Sequence, residues 1–214
     1  MTDKQLQSNS AESLERHGRH DGVKPPRGTS ILLAGVGGQG TILVAKLLTA
    51  GLVQAGHDVK MSEIHGMSQR GGSITTQIRF GAKVFSPTID RGRADILVSF
   101  EEMETYRWLP WLKPGGKVIM NDYRQPSAPM LSGRQPYPEG LQDEVAAKAE
   151  TTIIDAAKLA AEAGLPRAMN LVLMGALIRL LGLEKLDWAE IIKAGVKPQF
   201  VAGNLAALNK GLET

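Results

Sequence analysis

An apolar run that stops at a cluster of glycines and gives way to a helix constrains this chain more than any other feature: Ile31-Leu32-Leu33-Ala34-Gly35-Val36-Gly37-Gly38-Gln39-Gly40. Residues without a side chain let the backbone come close to an anion. The unpaired N–H groups of a first helical turn, aided by the helix dipole, then point at that anion. Gly35, Gly37 and Gly40 fit the pattern G-x-G-x-x-G, and Gly38 and Gln39 complete the turn. Thr41-Ile42-Leu43-Val44-Ala45-Lys46-Leu47-Leu48 follows at helical period, so the motif has the strand, turn and helix that a phosphate site needs. The same turn also serves as a tight strand-to-helix junction without a ligand, and both readings stay open at this point.

The 214 residues, 43% of them hydrophobic, suffice for one substantial core, so one domain with a tail is expected. A formal net charge of +3, with no run of five like charges, does not make the dense cationic face that binds nucleic acid. There is no cysteine. That excludes disulfides, thiolate nucleophiles, zinc–thiolate sites and cysteine-ligated iron–sulfur clusters from this chain, and any such chemistry must sit on a partner. The longest uncharged apolar stretch, Leu171 to Ile178, is too short to span a bilayer, and the N-terminus lacks the apolar core of a signal peptide. A cytoplasmic protein with neither membrane nor nucleic acid as a partner is expected.

Met1 to Thr29 is polar, carries mixed charge and ends in Lys24-Pro25-Pro26-Arg27-Gly28, so it reads as a flexible tail ahead of a domain over residues 30–214. Asp58-Val59-Lys60-Met61-Ser62 restarts the chain as a second strand, expected to be the parallel neighbour of the first. Ser73 to Phe80 alternates with a β period, and Gly81-Ala82-Lys83 is expected to turn it into Val84-Phe85-Ser86 as an antiparallel hairpin. Ala94 to Phe100 and Gly116 to Asn121 read as strands covered on both faces, with a helix from Glu101 to Trp111 between them. Within that helix Trp108 and Trp111 pack on the sheet or face a partner. Arg124 to Pro138, with four prolines, is an irregular excursion. A helix over Gly140 to Ala149, a strand over Thr151 to Asp155 and a short helix over Ala156 to Ala163 follow, and the remainder is helical with breaks at Gly182, Gly195 and Pro198. The fold expected is α/β: a Rossmann-like, mostly parallel sheet with a β-hairpin insertion and C-terminal helices.

Dinucleotide folds hold the adenosine ribose with an acid about twenty residues beyond the glycines. Lys60 is nearest that spacing here and Glu63 lies slightly later, a poor match to nicotinamide-cofactor binding. Past the second strand, Ser62 to Ser73 is rich in glycine and hydrogen-bond donors and carries one cation. It falls at the carboxyl edge of the sheet, where open α/β sheets place ligands. Arg70 can pair with a phosphate or carboxylate, Gln69 and Ser68 can donate hydrogen bonds, and Gly71 lets the backbone close in. His65 is an acid, a base or a hydrogen-bonded loop residue, and no second histidine or carboxylate at ligand-like spacing supports a metal site. Asn170 is the polar intruder in the otherwise apolar Met169 to Ile178.

The Gly35-Val36-Gly37-Gly38-Gln39-Gly40 turn, the Glu63 to Ser73 segment with Gln69-Arg70-Gly71-Gly72, the Asn170 to Ala176 helix and the Lys197-Pro198, Asn204 and Gly211 positions together resemble the gamma-type domain of the 2-oxoacid:ferredoxin oxidoreductases. Within them the chain is similar to the indolepyruvate-oxidising group, and the likeness runs from about Ser30 to Gly211. The resemblance implies a reaction in which an arylpyruvate and coenzyme A give an aryl-acetyl-CoA, carbon dioxide and reduced ferredoxin. It also implies a large alpha subunit carrying thiamine diphosphate and the iron–sulfur clusters, without which this chain is inactive. No Gly-Asp-Gly with a downstream Asn in the thiamine-binding arrangement occurs here, in keeping with that division. The implied site is an anion or coenzyme A cradle of Gly35, Gly37, Gly38, Gln39, Gly40, His65, Gln69, Arg70 and Gly71, with no catalytic residue and no metal. Two other readings remain: a free-standing NAD(P)-binding oxidoreductase, and a purely structural subunit.

Overall fold

The computed structural model of the protein describes residues 28–65 and 72–214. The tail expected over residues 1–29 therefore lies almost wholly outside the described residues, as do positions 66–71. Among the described residues a six-stranded sheet has the order β2-β3-β1-β4-β5-β6. Its strands are β1 (Thr29–Val36), β2 (Asp58–His65), β3 (Ser73–Gly81), β4 (Ala94–Ser99), β5 (Leu112–Asn121) and β6 (Glu150–Ile154). The helices are α1 (Thr41–Gln54), α2 (Glu102–Trp108), α3 (Ala128–Leu131), α4 (Leu141–Ala146), α5 (Ala156–Glu162), α6 (Met169–Leu181), α7 (Trp188–Gly195) and α8 (Val201–Leu212). None is long and apolar enough to cross a membrane.

β1, β4, β5 and β6 pair in parallel, whereas β3 is antiparallel to both of its neighbours. Two expectations are corrected here. β1 and β2 run the same way but are not neighbours, because β3 lies between them and pairs with β1 from Thr29↔Phe80 to Val36↔Ser73. The hairpin joins β2 to β3, not β3 to Val84-Phe85-Ser86, which forms no strand. β3 has hydrogen-bonding edges on both sides, and two long neighbours satisfy more of its backbone groups than a three-residue return could.

The strand–helix alternation places a core on each face of the sheet. Ile31, Leu33, Ile78, Phe80, Val98 and Ile154 pack with α1, α5, α6, α7 and α8 on one face. Leu32, Ala34, Leu97, Val118 and Met120 pack on the other, against Val145 of α4 and the rings of Trp108 and Trp111, whose centroids are 4.6 Å apart. The two tryptophans therefore serve the second core. Local capping agrees with the boundaries: Asp155 accepts from the Lys158 N–H at 2.9 Å, Asp187 from the Glu190 N–H at 3.1 Å, and Gly182 closes α6 at φ 68°.

α6 is buried from Asn170 to Ile178 and crosses α8 so closely that glycine is required on both helices. A Cβ on Gly175 would overlap the Leu208 carbonyl oxygen, and one on Gly211 would overlap that of Val172. Backbone cannot step aside as a side chain can. Gly211→Ala is expected to cost about 3 kcal/mol, lowering the thermal midpoint by ~6–12 °C. A circular-dichroism melt within one degree of the parent would show that the crossing is looser than described.

Candidate functional site

α1 follows β1 on one face of the sheet and α2 follows β4 on the other, so the chain travels away from β1 and β4 in opposite directions. Such a reversal leaves a crevice beyond the carboxyl ends of the two strands, the usual ligand position in an open α/β sheet. The glycine turn fills one side of this crevice. β3 brings its first residue there too, since Ser73 lies opposite Val36. The Gly37 N–H donates to the Gly72 carbonyl at 3.0 Å, which fixes one root of the segment holding Gln69, Arg70 and Gly71 against the turn. Those three residues lie outside the described residues. His65 closes β2 opposite Ile74.

The glycines of the turn are needed for different reasons. A Cβ on Gly35 would stand 2.8 Å from Gln39 Oε1 and 3.1 Å from the side chains of Phe100 and Thr41, so Gly35 makes room for the inward-folded Gln39. Gly40, at φ 80°, precedes α1 and touches the Asn170 amide, whose Nδ2 donates to the Gly40 carbonyl at 3.4 Å. Gly38, at φ 102°, has no atom of the described residues within 4 Å of a Cβ position. Of these three, Gly38 alone has its backbone uncrowded by described residues.

Gln39 itself is 6% exposed and spends its amide on the protein. Its Oε1 accepts from the Val36 N–H at 2.8 Å, and its Nε2 donates to the Phe100 carbonyl at 3.2 Å and to Gln125 Oε1 at 3.3 Å. The first turn of α1, by contrast, has no side-chain cap and no acidic residue. The N–H groups of Thr41, Ile42 and Leu43 have no partner within the helix, so the positive end of the dipole carries no acid of its own first turn.

Two features went unread in the sequence. First, Glu101, Glu102 and Glu104, directly after β4, are all buried. Glu101 caps α2 through the Glu104 N–H at 2.9 Å and accepts from the Gln125 N–H at 3.1 Å and the Tyr137 hydroxyl. Glu102 accepts from Arg124 Nε at 2.9 Å and Gln142 Nε2 at 2.7 Å, closing both ends of the proline-rich excursion on one carboxylate. Glu104 accepts from the Ser73 hydroxyl, Trp108 Nε1 at 3.2 Å and Arg107 Nε at 3.1 Å. Glu102 holds the Arg124 guanidinium above its ordinary pKa, and burial, then the hydrogen bond to Glu101, pushes the Tyr137 phenol up. The sequence signal was Phe100-Glu101-Glu102-Met103-Glu104, acids placed where a strand ends and a helix begins.

Second, a groove of about 390 Å³ beside the first turn of α1 is lined by Leu43, Arg167, Asn170, Lys197, Phe200 and Asn204. Arg167 and Lys197 have no ion-pair partner among the described residues. No local pattern marks Arg167, because folding alone brings it into the groove with Leu43 of α1. A second groove, about 530 Å³, opens between Val36, Ser73, Glu104, Gln125 and Leu131. A larger cavity of about 610 Å³ lies at the opposite edge, around Leu112, Gly116 and the ion-paired Lys113 and Lys148.

An acid on the strand after the glycine helix binds the ribose of a dinucleotide when that strand adjoins β1. Here β3 intervenes, which sets β2 and its Glu63 about 10 Å from β1 at ~4.8 Å per strand. The geometry thus disfavours the nicotinamide-cofactor reading.

Solved structures share this architecture. The gamma subunit of a keto/oxoacid ferredoxin oxidoreductase from Geobacter sulfurreducens matches with a TM-score of 0.66 over 87% of this chain and 95% of its own, at 20% identity. Pyruvate oxidoreductase subunit PORC of Thermotoga maritima matches at 0.63 over 87% of this chain and 96% of its own, at 21% identity. In sequence, indolepyruvate oxidoreductase subunit IorB of Thermococcus kodakarensis is 36% identical over 192 residues, spanning 86% of this chain and 94% of that protein. The IorB of Pyrococcus horikoshii is 37% identical over 191 residues, with the same coverage. Residues 30–214 match the family described as pyruvate ferredoxin/flavodoxin oxidoreductase, and the chain belongs to that family.

Proposed function

We propose that this chain is the small subunit of an indolepyruvate:ferredoxin oxidoreductase that converts an arylpyruvate and coenzyme A to an aryl-acetyl-CoA and carbon dioxide, with electrons passed to ferredoxin. The observation that carries this reading is the likeness to IorB subunits along nearly their whole length. Thiamine diphosphate and the iron–sulfur clusters belong, in this reading, to a larger alpha subunit, since a chain without cysteine offers no thiolate ligand. Residues 30–214 form the working domain.

The chain's own contribution is to bind and orient coenzyme A. Gly38 and the first-turn N–H groups of α1 receive a phosphate, with Gly35, Gly37, Gln39 and Gly40 shaping the turn. Arg167 pairs with a second phosphate oxygen from the adjoining groove, whose apolar residues, Leu43 and Phe200, cover part of the ligand. His65, Gln69, Arg70 and Gly71 complete the cradle from the side of β3, with Arg70 on a phosphate or on a carboxylate of the alpha subunit.

Two measurements test this. The purified chain is expected to show no turnover, and addition of the alpha subunit is expected to give coenzyme A-dependent ferredoxin reduction with indolepyruvate. Turnover by the single chain would sink the assignment. In the reconstituted enzyme, Arg167→Ala is expected to raise the KM for coenzyme A about fivefold, the loss of ~1 kcal/mol for a solvent-exposed charged hydrogen bond. A value within twofold of the parent would remove Arg167 from the site.

A further inference from the structure

We propose that Tyr137 is a positioning residue that acts through Glu101 and Gln125 on Gln39, and so sets the glycine turn for its anionic ligand; this rests on the coenzyme A reading of the turn. The excursion between β5 and α4 is tied at its two ends to Glu102 through Arg124 and Gln142. Between them Tyr137 is partly buried, while the residues on either side of it are exposed. Its hydroxyl donates to Glu101 Oε1 and accepts from the Met103 N–H at 3.1 Å, while Arg124 lies over its ring at 5.3 Å. Around Tyr137 this stretch is therefore held by the polar contacts of that side chain.

The oxygen of Glu101 that takes the Tyr137 proton donor also accepts the Gln125 N–H at 3.1 Å. Gln125 then accepts from Gln39 with its side chain at 3.3 Å. Gln39 sits between Gly38 and Gly40, and its amide spans the Val36 N–H and the Phe100 carbonyl. A shift of Gln125 is thus passed to the residue that sets the direction of the turn's peptide groups. Glu101 and Gln39 are buried while Gln125 and Tyr137 are half-buried, so a group freed along this chain loses a bond that water replaces only in part. The fully buried Glu101 is otherwise unexplained, since capping a seven-residue helix occupies only one of its oxygens.

Steady-state kinetics of the reconstituted enzyme test the relay. Tyr137→Phe keeps the ring over Arg124 and removes only the hydroxyl. Gln125→Ala keeps the backbone bond to Glu101 and removes only the acceptor for Gln39. Each is expected to raise the KM for coenzyme A threefold or more, with kcat and the KM for the 2-oxoacid within twofold of the parent. The double variant is expected to match the worse single one, since both cut the same link. An unchanged coenzyme A KM in both variants overturns the proposal, as does a parallel loss in all parameters, which marks general loosening. If Tyr137→Phe fails to fold, Gln125→Ala decides alone. Gly38→Val separates the two levels. If it raises the coenzyme A KM while the relay variants do not, the relay alone fails. If it too has no effect, the reading of the turn fails and takes the relay with it.

Discussion

Three carboxylates with almost no access to water at the start of α2 have to be paired, and that requirement organises the whole carboxyl edge of the sheet. An isolated buried carboxylate costs several kcal/mol, and its removal from water is repaid only by charge-assisted hydrogen bonds with good geometry. The partners these glutamates find outside α2 come from two places in the chain: Ser73 from the root of β3, and Arg124, Gln125, Tyr137 and Gln142 from the excursion and its two ends. Segments that are irregular in themselves acquire fixed positions from one helical turn. The glycine turn is held by the same network, because Gln125 reaches Gln39.

The insertion of β3 decides what that turn can do. In a dinucleotide fold the strand beside β1 delivers an acid to the ribose, and the ligand lies along both. Here the neighbour runs the other way and presents its N-terminal end, Gly72 and Ser73, at the crevice. The site loses a ribose acid and gains a loop root bonded directly to Gly37. A glycine turn on such a scaffold keeps the phosphate geometry of strand, turn and helix while giving up the adenosine contacts that normally go with it.

Much of the architecture was legible in the sequence because it follows from local rules. The buried parallel strands announced themselves as continuous apolar runs, and the helix breaks at Gly182, Gly195 and Pro198 by residues that favour a helix end or a turn. The position of β3 was not legible. Its alternation identifies a strand, but choosing between a hairpin forward to Val84 and one backward to β2 depends on which neighbours leave backbone groups unpaired, a property of the assembled sheet. The glycine turn was legible as a motif, yet the distinct duties of Gly35, Gly38 and Gly40 are set by Phe100 and Asn170, far away in the chain. Arg167 was illegible for the same reason. Glu101 to Glu104 read only as the start of a helix, and the packed loops make them a buried clasp.

A chain that carries no cysteine offers no thiolate for a cluster, but it can still influence a reaction by binding and by position. Binding energy accelerates a reaction when it is used to hold reactants in the geometry of the transition state, and an ångström of misplacement erases much of the gain. Rigid support of the proposed ligand cradle is one place where such a subunit can contribute. The crevice has that character: Gln39 is locked by three hydrogen bonds, Gly40 abuts Asn170 of the buried α6, and α6 is pinned against α8 by backbone-to-backbone contact at Gly175 and Gly211. Rigidity runs from the helical core on one face of the sheet, through the turn, to the carboxylate clasp on the other. Gly38, which no described residue crowds, lies in the middle of that line, and a ligand bound there would inherit its position from both cores at once.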